Sequence, residues 1–139
     1  SALLSAGKLP DEIASKVANC TDLKAFETLI ACQPSDQSLQ AMIDRFIFFL
    51  PFVQGDLAVL EDLAYAFVGR QAAQNVVYTE VRYSPHILTT AGKYESEASA
   101  SVDCTAEAEQ VVEAVTRGLR RGCADHPGTE IAQILCFID

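Results

Sequence analysis

The residues best suited to chemistry lie together in one segment of the sequence, where Glu80, Arg82 and Ser84 alternate with large apolar residues and His86 follows. Side chains alternate between the two faces of a strand, so Glu80, Arg82 and Ser84 share one predicted face. Both faces of a parallel sheet are usually dry, and two charges there require either each other or another partner. The carboxyl ends of strands bind ligands in α/β proteins, and Ser84 and His86 lie at that end of this segment.

Structural interpretations remain open at each of these positions. Glu80 and Arg82 taken by themselves favour a structural ion pair within a sheet or barrel, and a single histidine after a strand more often makes a structural hydrogen bond than binds a metal. The other histidine, His126, lies in a polar segment that predicts an exposed loop. The sequence contains no GxGxxG, GxxxxGK[ST], HExxH or GxSxG motif, and nothing indicates that Ser84 is a nucleophile.

Hydrophobic periodicity predicts the elements that position these residues. Residues 76–84 (VVYTEVRYS) predict a strand, and the nearly continuous apolar run at residues 131–138 predicts a second strand covered on both faces. The predicted helices begin at Asp11, at the pair Thr21-Asp22, near Ser35 or Ser38 with an end at Pro51, at Asp56 with an end near Gln74, and at Thr105 with an end at Gly122. Two buried strands joined through a helix predict an α/β fold with a parallel sheet, and spacing alone leaves open a barrel or a doubly wound sheet.

Composition and charge argue against several classes of function. A formal net charge of -9 in 139 residues makes binding to nucleic acid or to an anionic membrane surface unfavourable, because phosphates repel it. No apolar run approaches the roughly 20 residues of a membrane-spanning helix, and no secretory signal is recognisable. Five cysteines, an odd number without a CxxC pair, indicate reduced thiols and a cytoplasmic protein.

The run VYTEVRYSPHIL at residues 77–88 closely resembles the second barrel strand of adenosine deaminases, in which the pattern is V-Y-x-E-V-R-Y-S-P-H-L-L. The segments DLAYAFV at residues 62–68 and ILC at residues 134–136 resemble the preceding helix and the third strand of that family. The resemblance implies a partial (β/α)8 TIM barrel that covers the helices after strand 1 through strand 3. Residues 1–139 would then form a single incomplete domain.

The resemblance also implies an activity, the zinc-dependent hydrolysis of adenosine or deoxyadenosine to the inosine product and ammonia in purine salvage. Zinc lowers the pKa of bound water, and a glutamate moves protons between that water and the purine. The family holds zinc with a first-strand His-x-His pair and a later His and Asp, and takes the glutamate from a His-Ala-Gly-Glu motif. None of these motifs occurs here, so we assign no catalytic and no metal-binding residue and expect the chain alone to be inactive.

By the same resemblance, seven residues match positions of the substrate pocket: Leu39, Met42, Ile43, Phe46, Ser84, Ile87 and Ile138. The first four match a helix that forms a hydrophobic lid over the nucleoside, and Met42 stands where an aromatic residue is common. Without the resemblance, the helical spacing of these four residues predicts ordinary core packing.

Two alternatives to an enzyme fragment remain. One is a non-catalytic protein derived from the family that binds a nucleoside or a partner, and the other is an unrelated α/β domain whose strand matches by chance. The coding sequence on either side separates the first from an enzyme, since His-x-His upstream and His-Ala-Gly-Glu downstream indicate catalysis. A barrel cut after its third strand leaves two sheet edges unpaired, so we expect the isolated chain to be unstable or prone to aggregation.

Overall fold

A computed structural model describes residues 11–34, 38–90 and 105–136 of the chain. The chain divides into two compact units, Ser1–Phe52 and Val53–Asp139, which are described separately below. Within the described ranges, no helix combines the length and the apolar character needed to cross a bilayer.

The described part of the first unit is helical. Helices α1 (Asp11–Ala18) and α2 (Leu23–Ile30) begin where the sequence predicted them. The carboxylate of Asp22 accepts a hydrogen bond of 2.8 Å from the backbone N–H of Ala25, which satisfies one of the free donors at the start of α2. Ser38 caps helix α3 (Leu39–Ile43) in the same way.

The third predicted helix is wrong in its length. Instead of one helix that ends at Pro51, α3 is followed by a 3₁₀ helix (Asp44–Phe48) and by a short helix α4 (Leu50–Val53). Pro51 therefore lies in the first turn of α4, where the missing N–H of proline has no helical partner to lose. The proline marks the start of a new helix instead of the end of the old one.

The second unit contains the predicted alternation of helix and strand. It consists of α5 (Leu57–Ala73), β1 (Tyr78–Tyr83), a 3₁₀ turn (His86–Leu88), α6 (Thr105–Asp125) and β2 (Glu130–Leu135). Strands β1 and β2 pair in parallel, with Tyr78 opposite Glu130 and Tyr83 opposite Leu135. A parallel pair joined through α6 is the βαβ unit that the sequence predicted, and the fold of this unit is mixed α/β.

Helices α5 and α6 pack closely on each other and form the core of the second unit. The core residues are Leu60, Ala64, Val68, Val111, Val115 and Leu119. Gly122 lies within α6, and a Cβ at this position would come within 2.7 Å of Cβ of Val68. The prediction that Gly122 ends the helix is wrong because the glycine serves close helix packing, and α6 continues to Asp125.

The sheet is covered on one face by these helices. Val81, Tyr83 and Ile131 pack against the α5–α6 core. In contrast, Ile134 is 43% exposed, so the prediction that β2 is buried on both faces is wrong for the described structure. The apolar run of β2 thus forms a strand with one face covered by the helices and one accessible face.

Candidate functional site

The carboxyl ends of β1 and β2 lie side by side and define the candidate site. Tyr83 is opposite Leu135, and the backbone N–H of Cys136 donates to the carbonyl of Tyr83 over 2.9 Å. Ser84 follows Tyr83 directly, so Ser84 and Cys136 leave the sheet at the same level. Parallel pairing therefore places the polar end of β1 beside the end of its neighbour.

Glu80 and Arg82 share one face of β1, as the alternation predicted. The carboxylate of Glu80 accepts a 3.0 Å hydrogen bond from Oη of Tyr78, and this bond raises the pKa of the Tyr78 phenol. The Nε of Arg82 donates to Sγ of Cys136 over 2.8 Å. In the part of the chain that is described, no ion pair joins Glu80 to Arg82, so a structural pair between them is not observed.

This face of the sheet is accessible, contrary to the expectation of a dry surface. Glu80 and Arg82 are exposed, and Tyr78 retains 50% of its accessible surface. Hydrated charges do not need a buried partner, which removes the physical reason for an ion pair between them. The expectation failed because it assumed cover on both faces, whereas the α5–α6 core packs against the Val81 side of β1.

Ser84 differs from the two charged residues. Its Oγ is buried and has no hydrogen-bond partner among the described residues. A buried polar group without a partner costs roughly 1–3 kcal/mol, and native proteins keep few of them. Ser84 is therefore the residue in this segment whose polar atom most needs a further partner.

A short turn after Ser84 carries Ile87. Residues His86–Leu88 form a 3₁₀ helix, and Oγ1 of Thr89 donates to the carbonyl of His86 over 2.8 Å. Thr89 is only 1% exposed, so this bond is shielded from water. The turn has a defined hydrogen-bonded shape in which Ile87 is half-buried.

Two part-buried hydrogen bonds link the two strands to α6 near this end of the sheet. Oη of Tyr83 donates to Oε1 of Gln133 over 2.9 Å, and Nε2 of Gln133 donates to Oγ1 of Thr116 over 3.0 Å. Burial raises the pKa of Tyr83 to about 12, because the charged phenolate is poorly solvated there. These two hydrogen bonds help to hold β1 and β2 in register, and Ser84 follows directly at the end of β1.

The seven predicted pocket residues are distributed over both units. Leu39, Met42 and Phe46 are 73%, 43% and 47% exposed, and Ile43 is half-buried. Ordinary core packing therefore does not describe the first three, although they lie on one short stretch of α3 and the following 3₁₀ helix. Ser84 and Ile87 are brought together at the end of β1.

Ile138 lies outside the described residues, so the structure gives no account of it. The contact of any of the seven residues with a nucleoside stays a prediction.

No group of three or more His, Cys, Asp and Glu side chains converges on a point that suits a metal ion, within residues 11–34, 38–90 and 105–136. His86 lies after the carboxyl end of β1, whereas His126 precedes the amino end of β2. His126 is half-buried instead of exposed as predicted, because it lies against Gly69 of α5. The described residues thus do not fit a zinc site.

A cavity of about 340 Å³ lies at the opposite end of the sheet, and its polar lining residues are Asn75, Asp125, His126 and Thr129. Two of these polar groups already have hydrogen-bond partners within the protein. Asp125 accepts a hydrogen bond from Tyr65, and Thr129 donates one to the carbonyl of Val76. In α/β proteins ligands bind at the carboxyl ends of parallel strands, so we assign no function to this cavity.

Two contacts at the carboxyl end were missed by the sequence analysis. Gln54 donates from Nε2 to the carbonyl of Ile87 over 2.8 Å, although 33 positions separate the two residues. No local pattern reveals such a contact. The second contact, from Nε of Arg82 to Sγ of Cys136, was predictable in principle, because aligning the ends of two parallel strands places Cys136 beside the end of β1.

Comparisons with known proteins agree on one family, the adenosine deaminases. The family model described as "Adenosine deaminase" matches residues 10–139. The chain is 35% identical over 85 residues to an adenosine deaminase from Xenopus tropicalis, which covers 61% of this chain and 24% of the relative. It is 34% identical over 99 residues to the adenosine deaminase from Bos taurus, with 71% of this chain and 27% of the relative covered.

The adenosine deaminase from Mus musculus is 32% identical over 99 residues, which is 71% of this chain and 28% of that relative. The matched segment thus spans about a quarter of the length of these curated relatives.

Proposed function

Because this chain belongs to the adenosine deaminase family, we propose that the full-length protein containing it hydrolyses adenosine or deoxyadenosine to the inosine product and ammonia. In this proposal, residues 1–139 form one incomplete domain that supplies the helices after strand 1 through strand 3 of a (β/α)8 barrel. The chain alone is inactive, and the enzyme serves purine salvage in the cytoplasm. This 139-residue chain carries a net charge of -9, so in the proposal it contributes no surface for nucleic acid or for an anionic membrane.

The parallel pairing of β1 with β2 through α6 supports the barrel most directly. A (β/α)8 barrel repeats this unit, with helices outside and the other sheet face turned inward. The observed sheet has the α5–α6 core on one face and carries Glu80 and Arg82 on the other. In the proposed barrel, this accessible face becomes the inner face, and further strands supply its cover.

The proposed substrate-binding residues follow from the same arrangement. Ser84 and Ile87 lie at the carboxyl end of β1, where barrel enzymes bind their substrates. The buried Oγ of Ser84 supports this assignment because it lacks a partner among the described residues. The exposed apolar residues Leu39, Met42 and Phe46, with Ile43 beside them, form the lid over the nucleoside, and Ile138 completes the apolar wall.

Zinc is the proposed cofactor of the full-length enzyme, but the described residues do not fit its site. We therefore assign the metal ligands and the proton-transferring glutamate to residues outside this chain. Glu80 is not given that role, because it accepts a hydrogen bond from Tyr78 on strand β1 and belongs to the second strand in the proposed barrel. The contribution of this chain is to bind and orient the nucleoside.

The test is a deamination assay on the purified full-length protein. Conversion of adenosine to inosine is followed by ultraviolet absorbance and by release of ammonia, with deoxyadenosine, adenine, AMP and cytidine as alternative substrates. We expect turnover of adenosine and deoxyadenosine, loss of activity in a metal chelator and recovery on addition of zinc. The isolated 139-residue chain serves as the matched control and is expected to show no turnover.

A full-length protein that binds adenosine without deaminating it would replace this proposal by a non-catalytic nucleoside-binding function. Turnover of adenine or AMP in preference to adenosine would retain the barrel but change the substrate class. Activity of the isolated chain would contradict the assignment of all catalytic groups to residues outside it.

A further inference from the structure

The turn that carries Ile87 is fastened to the chain segment that precedes α5. Nε2 of Gln54 donates to the carbonyl of Ile87 over 2.8 Å, and the backbone N–H of Gly55 donates to the carbonyl of Leu88 over 2.9 Å. Two consecutive carbonyls of the turn are thus held by two consecutive residues. We name this pair of contacts the turn clamp.

The clamp is itself fixed in place by local structure. Asp56, the next residue, caps α5 by accepting a 3.1 Å hydrogen bond from the N–H of Val59. Gly55 has φ of 73°, and a Cβ there would overlap Oγ1 of Thr90. Only glycine therefore suits this position, because it adopts the left-handed conformation and allows the turn to approach closely.

The far end of the turn is held from α6. The backbone N–H of Thr90 donates over 3.0 Å to the carboxylate of Glu107, which lies in the first turn of α6. Contacts from the segment before α5 and from α6 therefore fix both sides of a turn that is already closed by the bond from Thr89 to His86. This is more restraint than a surface connection requires, since loops generally are mobile.

We propose that Gln54 is a positioning residue for the substrate pocket, which sets the orientation of Ile87 by holding its carbonyl through the turn clamp. The inference rests on the proposed function, because it gives Ile87 a role in contact with the nucleoside. Gln54 itself touches the backbone of the turn. Its effect on the substrate is transmitted through the peptide that carries Ile87, whose side-chain direction follows from the backbone.

The variants that test this are Gln54→Ala and Gln54→Glu in the full-length protein. Alanine removes the amide donor, and glutamate keeps the size of the side chain but places an acceptor against the carbonyl of Ile87. We expect Gln54→Ala to raise KM for adenosine about five- to tenfold with kcat within about twofold of wild type. Gln54→Glu is expected to raise KM further, because two oxygen acceptors repel each other.

Gln71→Ala is the matched control. Oε1 of Gln71 accepts a 3.0 Å hydrogen bond from Oγ1 of Thr79, so this variant also loses a part-buried glutamine contact with the β1 region, but far from the turn. We expect Gln71→Ala to lower stability and leave KM unchanged. Wild-type KM in both Gln54 variants, or an equal rise of KM in Gln71→Ala, would overturn the positioning role.

Hydrogen exchange separates failure of this inference from failure of the proposed function. The N–H groups of Gly55 and Thr89 report on the turn directly, because they donate to the carbonyls of Leu88 and His86. We expect Gln54→Glu to accelerate their exchange at least several-fold, and Gln71→Ala to leave it unchanged, whether or not the protein deaminates a nucleoside. Unchanged exchange in Gln54→Glu rejects the clamp itself, whereas accelerated exchange without any wild-type deamination rejects the proposed function alone.

Discussion

Replacing Gly118 with alanine tests the contact between α5 and α6, on which the second unit depends. Gly118 lies within α6, and a Cβ at this position would overlap the carbonyl oxygen of Glu61 and lie 2.8 Å from Cβ of Ala64. A backbone carbonyl and a methyl group cannot rotate aside as a long side chain does. The two helices must therefore move apart by about 1 Å to restore contact distances of ~3.5 Å.

The sign of the effect follows from two opposing magnitudes. Alanine is favoured over glycine inside a helix by about 1 kcal/mol. Overpacking a close contact costs typically about 1–3 kcal/mol, and a clash with a backbone atom belongs at the upper end. We expect Gly118→Ala to lower the free energy of unfolding by about 1–2 kcal/mol.

Gly69→Ala is the matched control in the facing helix. A Cβ at Gly69 would lie 3.4 Å from Nε2 of His126, which is an ordinary contact. This variant gains helix propensity without a clash and is expected to raise the free energy of unfolding by up to about 1 kcal/mol. Urea unfolding of the full-length protein, followed by circular dichroism, measures both. Stabilisation by Gly118→Ala equal to that by Gly69→Ala would refute the close approach of the helices.

Substitutions at three further residues probe other contacts of the second unit. Tyr83→Phe should remove a pH dependence: burial raises the pKa of Tyr83 from 10.0 to about 12, so the unfolded phenol ionises first and wild-type stability falls as the pH rises between these values. Equal alkaline slopes of unfolding free energy for both proteins would contradict this. Glu61→Gln removes ion pairs of 2.9 and 3.0 Å with two arginines that are 55% and 46% exposed, and should cost below about 1 kcal/mol. That loss should disappear at high salt in urea titrations, and a salt-independent loss would count against an electrostatic origin. Asp56→Ala should cost about 1 kcal/mol by removing the cap of α5, and Asp56→Asn should recover most of it; equal losses in thermal melts would exclude capping.

Local rules of the sequence were sufficient for much of the fold. Asp22 and Asp56 identified the starts of α2 and α5, because a capping carboxylate acts on an N–H only a few residues away. The alternation at residues 76–84 identified β1 and the shared face of Glu80 and Arg82 for the same reason. The resemblance carried by residues 77–88 was sufficient to indicate the family.

The same local rules failed at three positions. Pro51 and Gly122 both read as helix ends in the sequence, yet Pro51 lies in the first turn of α4 and Gly122 packs against Val68 inside α6. Ile134 read as buried, because an apolar run cannot report which side of a strand is covered. For Gly122 and Ile134 the outcome depends on which element lies opposite the residue, whereas Pro51 shows that one proline signal suits both the end and the start of a helix.

In the candidate site, too, some features follow from the sequence and others only from the tertiary structure. The sequence by itself determined which residues carry polar chemistry at the end of β1, since residue type and alternation are local properties. Only the tertiary structure decided that Glu80 and Arg82 do not pair, that Oγ of Ser84 is buried without a partner, and that Gln54 holds the carbonyl of Ile87 from 33 positions away. Burial and long-range hydrogen bonds arise from the approach of segments that are distant along the chain, and residue spacing does not encode that approach.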